Sequence, residues 1–392
     1  MTNFEKRLLK GLETHAHPRD LGLYIHVPFC RTRCHFCSFY VTPYHERRIQ
    51  EFVSALVTEL TCYGQRALFH RCPISTVYFG GGTPSVLKNQ QLMEILYVLG
   101  EAFSLDSQVE ITIEMDPSTV NETSLQSALS MGVNRLSFGV QTFEGEEWSL
   151  LGRSGGMNAI SHATWLATQI GFSNVSLDLM YGLPKQTLTS WQQSLRQAIE
   201  LRPQHISCYA LTLEEGTRFH RDTQAGNLPA TEPVLEMVMQ DLAISYLGAE
   251  GYQHYEVSNF AWPGMECRHN LRYWSGKDYL GAGPSAQSYV SGMRFGNVAD
   301  LAAYGNMLNR QELPIESLDV LSQEERARER VIFGLRMTQG VPSDDIVPIC
   351  EGQWQSSIER MIDGGLLVWE NNRLKTTEMG SRQLDSIAVQ LL

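Results

Sequence analysis

The segment Tyr24-Ile-His-Val-Pro-Phe-Cys30-Arg-Thr-Arg-Cys34-His-Phe-Cys37 places three of the chain's eight cysteines within eight residues, directly after an apolar run. Thiolates are the preferred protein ligands of iron–sulfur clusters. The spacing C-x3-C-x2-C wraps a short loop around one cubane and offers only three sulfurs, which leaves the fourth iron open to another ligand. We therefore predict a [4Fe–4S] cluster on Cys30, Cys34 and Cys37.

Two other interpretations of these cysteines stay open from the residues alone. The three thiols could be unrelated buried groups, or they could bind zinc with His26 or His35 as a fourth ligand. A disulfide framework is not expected, because the first twenty residues lack the apolar stretch of a secretory signal and the chain should remain in the reducing cytoplasm.

The composition is that of an ordinary globular protein. The chain has 392 residues, of which 43% are hydrophobic and 19% charged, with a formal net charge of −12. An acidic surface repels phosphate backbones, so nucleic acid is not an expected partner. No run of about 18 apolar residues occurs, so no membrane span is expected.

Short β-branched or aromatic runs alternate with amphipathic helical patterns through the first two thirds of the chain. This alternation predicts βαβ units on a parallel sheet, and right-handed crossovers would curl six strands into a partial (β/α)6 barrel of the α/β class. The predicted strands are 23–27, 76–79, 109–114, 134–139, 175–180 and 206–211. The predicted helices between them are 46–68, 89–102, 122–131, 157–170 and 188–201.

Unusual residues recur at the carboxyl ends of these strands. The cysteines follow the first strand, and a Gly80-Gly81-Gly82-Thr83-Pro84 turn follows the second. Glu114 ends the third strand, Gln141 follows the fourth, and Asp178 lies in the fifth. In barrels of parallel strands the chemistry sits at this end. The pattern predicts one shared site there.

The sequence changes character near residue 291. We predict an N-terminal segment at 1–20, a barrel domain at 21–290 and a C-terminal domain at 291–392, with a linker at 291–311. Residues 324–337 and 356–363 look helical, and a hairpin follows at 366–376, which resembles a winged helix. Eleven acidic against eight basic residues from Leu321 onward argue against DNA binding.

The cysteine spacing, with aromatic Phe36 just before the last ligand, resembles the radical S-adenosylmethionine (SAM) superfamily. That resemblance implies that the open iron chelates the amino and carboxylate groups of SAM. It also implies that an electron from the cluster cleaves the sulfonium to a 5′-deoxyadenosyl radical, so an electron donor is an expected partner. Phe36 would shield the cluster from solvent.

A closer resemblance is to the branch that contains oxygen-independent coproporphyrinogen III oxidase and the haem chaperones HemW. In that branch a Gln after strand four, an Arg twelve residues on and an Asp another 25 on contact SAM. Gln141, Arg153 and Asp178 stand at those spacings here. The residues implied to contact SAM are Tyr24, Phe36, Gly81, Gly82, Thr83, Glu114, Gln141, Arg153 and Asp178.

The roles implied by this resemblance suit the side chains. Glu114 and Arg153 would hold the amino-acid end of SAM, since a guanidinium forks onto a carboxylate. Asp178 would accept hydrogen bonds from the ribose hydroxyls, and Tyr24 would contact the nucleoside. Glycines in the turn after strand two would let the backbone approach the amino group.

Further features favour the chaperone side of the branch. The oxidase carries an additional cysteine where this chain has Phe39, and it has a longer segment before its cluster than the 29 residues present here. The segment Cys267-Arg-His-Asn-Leu-Arg-Tyr-Trp274 resembles the H-N-x-x-Y-W motif of HemW proteins, which implies that His269, or else Cys267, contacts haem. At position 287 this chain has Gln, where a histidine is expected in many relatives.

Three functions follow from the resemblance. The first is a haem chaperone that binds haem as cargo and delivers it to respiratory or membrane haem proteins. The second is oxidative decarboxylation of coproporphyrinogen III, and the third is another radical SAM reaction on a tetrapyrrole. Whether the chain is an enzyme stays open, and no residue is assigned a catalytic role.

Overall fold

Seven parallel strands form the centre of one twelve-stranded sheet in the computed structural model, which describes residues 3–14, 18–66, 69, 72–153, 156–349 and 352–391. Its two end strands, β14 and β9, do not pair with each other, so the described sheet is a partial barrel. The central strands are β1 (Leu21–Val27), β4 (Ile74–Gly81), β5 (Leu105–Met115), β6 (Arg135–Gln141), β7 (Val175–Tyr181), β8 (His205–Ala210) and β11 (Tyr279–Ala282).

Antiparallel strands extend the sheet on both sides, in the order β14-β13-β12-β11-β1-β4-β5-β6-β7-β8-β10-β9. A separate parallel pair, β2 and β3, frames the cysteine loop. The added strands are β2 (Phe29–Cys30), β3 (Thr42–Pro43), β9 (Gln253–Glu256), β10 (Asn259–Ala261), β12 (Gln287–Val290), β13 (Met293–Asn297) and β14 (Ile315–Val320).

Helices cover the outer face of the sheet. Several begin where a polar side chain caps the first turn; for example, the Thr187 side chain accepts a hydrogen bond from the backbone N–H of Ser190. The helices of this domain are α1 (Asn3–Thr14), α2 (Glu46–Gly64), α3 (Asn89–Ala102), α4 (Glu122–Ser130), α5 (Gly145–Leu150), α6 (Asn158–Ile170), α7 (Leu188–Glu200), α8 (Arg218–Gln224), α9 (Pro233–Ala249), α10 (Arg268–Trp274) and α11 (Leu301–Asn309). Short 3-10 helices span Pro84–Val86 and Pro117–Thr119.

The predicted α/β class and the six strands of the partial barrel are confirmed. Strands β1, β4, β6 and β7 are buried along nearly their whole length, as expected when helices cover one face of a parallel sheet and its inner face fills the barrel. The five helices between them begin within one residue of their predicted starts, and four of them end within one residue of the predicted end.

The boundary predicted at residue 291 differs from the packing. Strands β13 and β14 continue the large sheet, and Phe295, Tyr304 and Leu318 belong to the main hydrophobic core. The stretch predicted as a linker therefore contains a strand and a helix of the barrel domain. A second hydrophobic core begins only at Val331, so the change of domain lies between β14 and that residue.

The C-terminal domain is a small winged-helix-like unit around this second core. Its three-stranded sheet has the order β15-β17-β16, and the indole N–H of Trp354 donates to the carbonyl of Leu391 at 2.7 Å. Its elements are α12 (Gln323–Gly334), β15 (Val341–Pro342), α13 (Ser343–Ile346), a 3-10 helix (Val347–Ile349), α14 (Gly352–Asp363), β16 (Leu367–Glu370), β17 (Arg373–Thr376), α15 (Glu378–Ser381) and α16 (Leu384–Leu391).

The C-terminal domain packs against the barrel through α10. The guanidinium of Arg336 lies 4.8 Å from the ring centroid of Trp274, and the backbone N–H of Val257 donates to the carbonyl of Arg336 at 3.0 Å. Helix α10 thus lies between strand β4 on one side and α12 on the other. Within the described ranges, no helix has the length and apolarity needed to cross a membrane.

Candidate functional site

The cysteine loop leaves the carboxyl end of β1 and is fixed at its base by backbone pairing. Phe29 pairs with Thr42 in the β2–β3 ladder, and the N–H of Tyr44 donates to the carbonyl of Cys30 at 2.9 Å. At the tip, the N–H of Cys37 donates to the carbonyl of Cys34 at 3.3 Å. The loop therefore holds its three thiols along one wall of a cavity of about 200 Å³.

The two histidines that could complete a zinc site are otherwise engaged. His35 donates from Nδ1 to the carbonyl of Leu150 at 2.8 Å, and its Nε2 accepts from Arg218 at 3.0 Å. His26 donates from Nε2 to the carbonyl of Tyr40 at 3.0 Å. The nitrogens named here are engaged in hydrogen bonds that hold the cysteine loop against the barrel. This argues against either histidine as the fourth ligand of a zinc ion.

The thiols themselves suit a cluster. Burial raises the pKa of the Cys30 thiol to about 11, so a bound cation would be needed to stabilise its thiolate at neutral pH. Across the described residues, no three His, Cys, Asp or Glu side chains converge closely enough to hold a single metal ion. The three sulfurs of a cubane bind different irons and stand further apart, so the donor set fits the cluster better than zinc.

The glycine turn after β4 is built into the same wall. The N–H groups of Gly82 and Thr83 donate to the carbonyls of Val27 and Phe29 at 2.9 and 2.8 Å, which ties the turn to the start of the cysteine loop. Gly81 has φ +101°, and a Cβ there would lie 2.5 Å from the ring of His26. Glycine is required at this position for conformation and for space.

Most of the residues predicted to hold SAM line this one cavity. It lies at the carboxyl ends of β4 to β8, where the sequence predicted a shared site. The predicted site residues around it are Cys30, Cys34, Phe36, Cys37, Gly81, Gly82, Thr83, Glu114, Gln141, Arg153 and Asp178.

A β-bulge aims Gln141 at the cavity. The register of β6 against β7 shifts between Gly139 and Gln141, and Gln141 takes φ +71°. The hydroxyl of Tyr209 then donates to Oε1 of Gln141 at 2.5 Å, which orients the amide.

Arg153 is held from two sides. Its guanidinium lies 4.8 Å from the ring centroid of Trp148 and donates to Oδ2 of Asp116 at 3.5 Å. The side chain is only 8% exposed, and its guanidinium lies beside Gly139 in the cavity wall. Such a fixed guanidinium can bind a ligand carboxylate with two hydrogen bonds.

The two half-buried carboxylates of the site differ in their surroundings. Asp178 accepts hydrogen bonds from the hydroxyls of Ser137, Ser176 and Ser207 at 2.8–3.2 Å. Burial raises its pKa, and these donors oppose that shift. Glu114 accepts one side-chain bond, from Tyr78 at 2.8 Å, and burial raises its pKa to about 7. Glu114 thus keeps more free accepting capacity.

Two predicted ligand-binding residues do not line the cavities. Tyr24 lies deeper in the barrel, where its hydroxyl donates to Nδ1 of His26 at 3.1 Å. His269 is 0% exposed, and its two ring nitrogens pair with the hydroxyls of Thr76 and Tyr273, each at 2.8 Å. In this structure His269 has no free nitrogen for a haem iron. Burial also lowers its pKa to about 3, so it is neutral.

Cys267, the second predicted haem ligand, is likewise 0% exposed. Its thiol faces Glu110, and burial raises its pKa to about 12. In this motif Cys267 and His269 are thus buried within the barrel, whereas Asn270 lines a chamber at the site. The contact of His269 or Cys267 with haem stays a prediction, and the sequence alone does not show which face of α10 is covered.

Family comparisons agree with this architecture. Residues 24–198 match the family model described as the Radical SAM superfamily, and residues 321–382 match the HemN C-terminal domain. The chain is similar to the protein named heme chaperone HemW of Bacillus subtilis (strain 168), with 33% identity, covering 91% of this chain and 95% of that protein. The chain belongs to the HemW family.

Other members of the HemW family match over similar lengths. The heme chaperone HemW of Escherichia coli (strain K12) is 32% identical, covering 94% of this chain and 97% of that protein. Among solved structures, coproporphyrinogen III oxidase (HemN) from Escherichia coli superposes with a TM-score of 0.84 at 25% identity, covering 98% of this chain and 93% of that one. The HemW-family chain thus shares one fold with this oxidase.

Sequence reasoning missed several polar residues of the site in this HemW-family chain. Trp148 and Asp116 position Arg153, and three serines surround Asp178. Arg135 lines a second chamber next to the cavity that contains the three cysteines, and no sequence motif identified it. Alternation along β6 could have found it, because Arg135 and Ser137 occupy inward positions two residues apart.

Proposed function

We propose that this chain is a haem chaperone that binds haem and delivers it to haem proteins. The observation that carries the proposal is the similarity to proteins named heme chaperone HemW over nearly the whole chain. Phe39 supports the chaperone function, because the related oxidase has an additional cysteine where this chain has Phe39. Phe39 is 63% exposed at the mouth of the site.

We further propose that Cys30, Cys34 and Cys37 hold a [4Fe–4S] cluster and that SAM binds beside it. When bound, these groups would supply an electron and an open iron. The chain's own residues would position SAM: Arg153 its carboxylate, Glu114 its amino group, and Asp178 its ribose. Gln141, Phe36 and the turn of Gly81, Gly82 and Thr83 would complete the wall.

The remaining partners follow from this function. An electron donor would reduce the cluster, and a respiratory or membrane haem protein would accept the haem. We place the protein in the cytoplasm, where thiols stay reduced. The haem site is proposed within the barrel chambers and not on His269, because both ring nitrogens of His269 are hydrogen-bonded in the structure.

The test is haem retention by the reconstituted protein. We would reconstitute the cluster without oxygen, titrate haem, remove unbound haem by desalting and record the Soret band. Stoichiometric haem that passes to an apo-haem protein is the expected result. Absence of any retained haem would contradict the chaperone function.

A second candidate is oxidative decarboxylation of coproporphyrinogen III, favoured by the superposition on the oxidase HemN. Incubation with SAM, a reductant and coproporphyrinogen III, followed by product analysis, separates the two functions. We expect no decarboxylated product. Turnover to a decarboxylated product would favour the enzyme.

A further inference from the structure

The surface around the cysteine loop carries a local excess of positive charge. Residues 31–48 contain four arginines and one glutamate, a net charge of +3, in a chain whose formal net charge is −12. All four arginines are exposed, and the exposed Lys88 joins them by donating to Glu46 in the first turn of α2. We call this surface the basic patch, and it consists of Arg31, Arg33, Arg47, Arg48 and Lys88.

Two cations of the basic patch belong to the cysteine loop itself. Arg31 directly follows Cys30, and its guanidinium lies 4.4 Å from the ring centroid of Tyr44. The guanidinium of Arg33 donates to the carbonyl of Cys37 at 3.5 Å. The three cysteines of the loop are only half-buried. A molecule that contacts both guanidinium groups would therefore lie next to the cluster ligands.

The charge of the basic patch is only partly neutralised within the chain. The carboxylate of Glu51 is bonded to Arg47 at 2.8 Å, and that of Glu46 is bonded to Lys88. A third carboxylate nearby, Asp300, caps the first turn of α11. Five cations against three carboxylates leave a net charge of +2. Three cations form no ion pair with any residue that the structure describes: Arg31, Arg33 and Arg48.

We propose that the basic patch is the docking surface of the electron donor and that this donor is an acidic one-electron carrier protein. The proposal rests on the cluster proposed above, and it names the class of partner that reduces it. In this step the reduced carrier loses one electron and the oxidised cluster accepts it, and no bond forms or breaks. The acidic surface of the carrier would contact the same loop that holds the three cysteines.

Unpaired surface cations suit an encounter of this kind. Redox proteins meet through small, transient interfaces, generally below about 1,200 Å². Charge complementarity between two proteins raises the rate of their encounter more than it tightens the complex. At low ionic strength this effect reaches about 10- to 1,000-fold in the association rate constant. A basic carrier would be repelled by the same unpaired guanidinium groups.

Two other anionic partners fit the basic patch less well. Nucleic acid would be repelled by the rest of this acidic chain. An anionic membrane surface is usually bound by a cluster of about four to eight basic residues, whereas the three carboxylates here reduce the net charge to +2. Neither partner would account for the position of the cations on the cysteine loop.

The experiment measures how fast an acidic carrier reduces the cluster. The full-length, reconstituted protein is mixed anaerobically with the hydroquinone form of an acidic flavodoxin, and bleaching of the cluster's visible absorbance gives a second-order rate constant. Titration with oxidised flavodoxin, which donates no electron, gives the dissociation constant separately. We expect the rate constant to fall at least about tenfold between about 10 and 100 mM salt, because the Debye length shrinks from about 30 to 10 Å. This part of the test needs no substitution.

A pair of charge reversals locates the docking surface. The double variant Arg31→Glu, Arg48→Glu reverses two unpaired charges and leaves Arg33, which bonds to Cys37, in place. At low salt it should be reduced at least about tenfold more slowly and should bind oxidised flavodoxin more weakly.

The matched control is the double variant Arg196→Glu, Arg360→Glu. It changes the net charge by the same amount at exposed positions on α7 and α14, and it should keep the rate constant of the unsubstituted protein. An equal loss in the control would show that overall charge acts in place of a local surface, and the proposal would fail.

Excess dithionite separates the docking surface from the cluster assignment. This small reductant needs no docking surface, so it should reduce the cluster to the same extent in all three proteins. Reduction by dithionite, together with a flavodoxin rate constant that changes neither with salt nor in the Arg31 and Arg48 variant, would overturn the docking surface and leave the cluster in place. If dithionite reduced no cluster in the unsubstituted protein, both proposals would fall. Binding to anionic phospholipid vesicles that this variant loses, with its flavodoxin rate constant unchanged, would assign the basic patch to a membrane surface and overturn the proposal.

Discussion

Replacing Gly81 by Ala tests the packing that joins the glycine turn to the cysteine loop. Gly81 has φ +101°, a conformation in which an L-residue is strained by about 1–3 kcal/mol. The added Cβ would also lie 2.5 Å from Nδ1 and Cε1 of His26. The ring must move, and it then loses its bonds to the carbonyl of Tyr40 and the hydroxyl of Tyr24, each worth about 1 kcal/mol.

The sum is a loss of about 3–5 kcal/mol in the free energy of unfolding of the barrel domain. We would measure it by urea denaturation, and would measure iron and sulfide content after anaerobic reconstitution in parallel. Gly132→Ala is the control, because Gly132 has φ +92° and its added Cβ would meet only Ile111, at 3.9 Å. That variant carries the backbone strain without the clash.

We expect Gly81→Ala to lose about 2 kcal/mol more than Gly132→Ala and to retain less iron. A double-mutant cycle sharpens the result: in a His26→Ala background the ring is absent, so Gly81→Ala should cost only the backbone strain. Equal losses in the two glycine variants, or no coupling between Gly81 and His26, would refute the account of this turn.

Three further predictions concern the cluster, the pH dependence of stability and the SAM pocket. Cys37→Ala should abolish the broad visible absorbance of the cluster, while Cys62→Ala, on helix α2 outside the site, should keep it; full iron in Cys37→Ala would contradict the ligand assignment. Burial raises the pKa of Glu59 from 4.5 to about 7, so between these two pH values the folded chain keeps a proton that the unfolded chain releases. The free energy of unfolding should therefore fall by up to about 3 kcal/mol as the pH rises from 4.5 to 7. Urea denaturation at pH 5 and pH 8 should show a shallower fall for Glu59→Gln, and an unchanged slope would exclude Glu59 as the source. Trp148→Leu removes the ring under Arg153 and should weaken SAM binding about fivefold by calorimetry, whereas unchanged affinity would mean that Asp116 alone positions the guanidinium.

Local pattern was sufficient for the centre of the fold. Alternating apolar runs and helical periods located the six strands, because buried parallel strands are nearly continuous in apolar residues. The site end of the barrel followed from the same pattern, since carboxyl ends of parallel strands meet at one edge. The helix 89–102 was predicted with its observed bounds.

Long-range packing decided the parts that local pattern could not. Residues 293–320 look like the start of a new unit along the chain, yet β13 and β14 pair in the large sheet. Strand pairing joins segments far apart in sequence, such as β11 with β1, and depends on which edge is left free. The periodicity of a single short strand does not contain that information.

The sequence by itself was sufficient to propose the cluster site, because the C-x3-C-x2-C spacing keeps three thiols close together through local geometry alone. Only the tertiary structure decided which other polar residues face a ligand. His269 was predicted to face one and is sealed between β4 and Tyr273, while Arg135 carried no motif and lines a chamber. The burial of a side chain depends on all the elements that pack around it. Whether a charged side chain is paired or faces a ligand depends on which groups folding brings within contact distance.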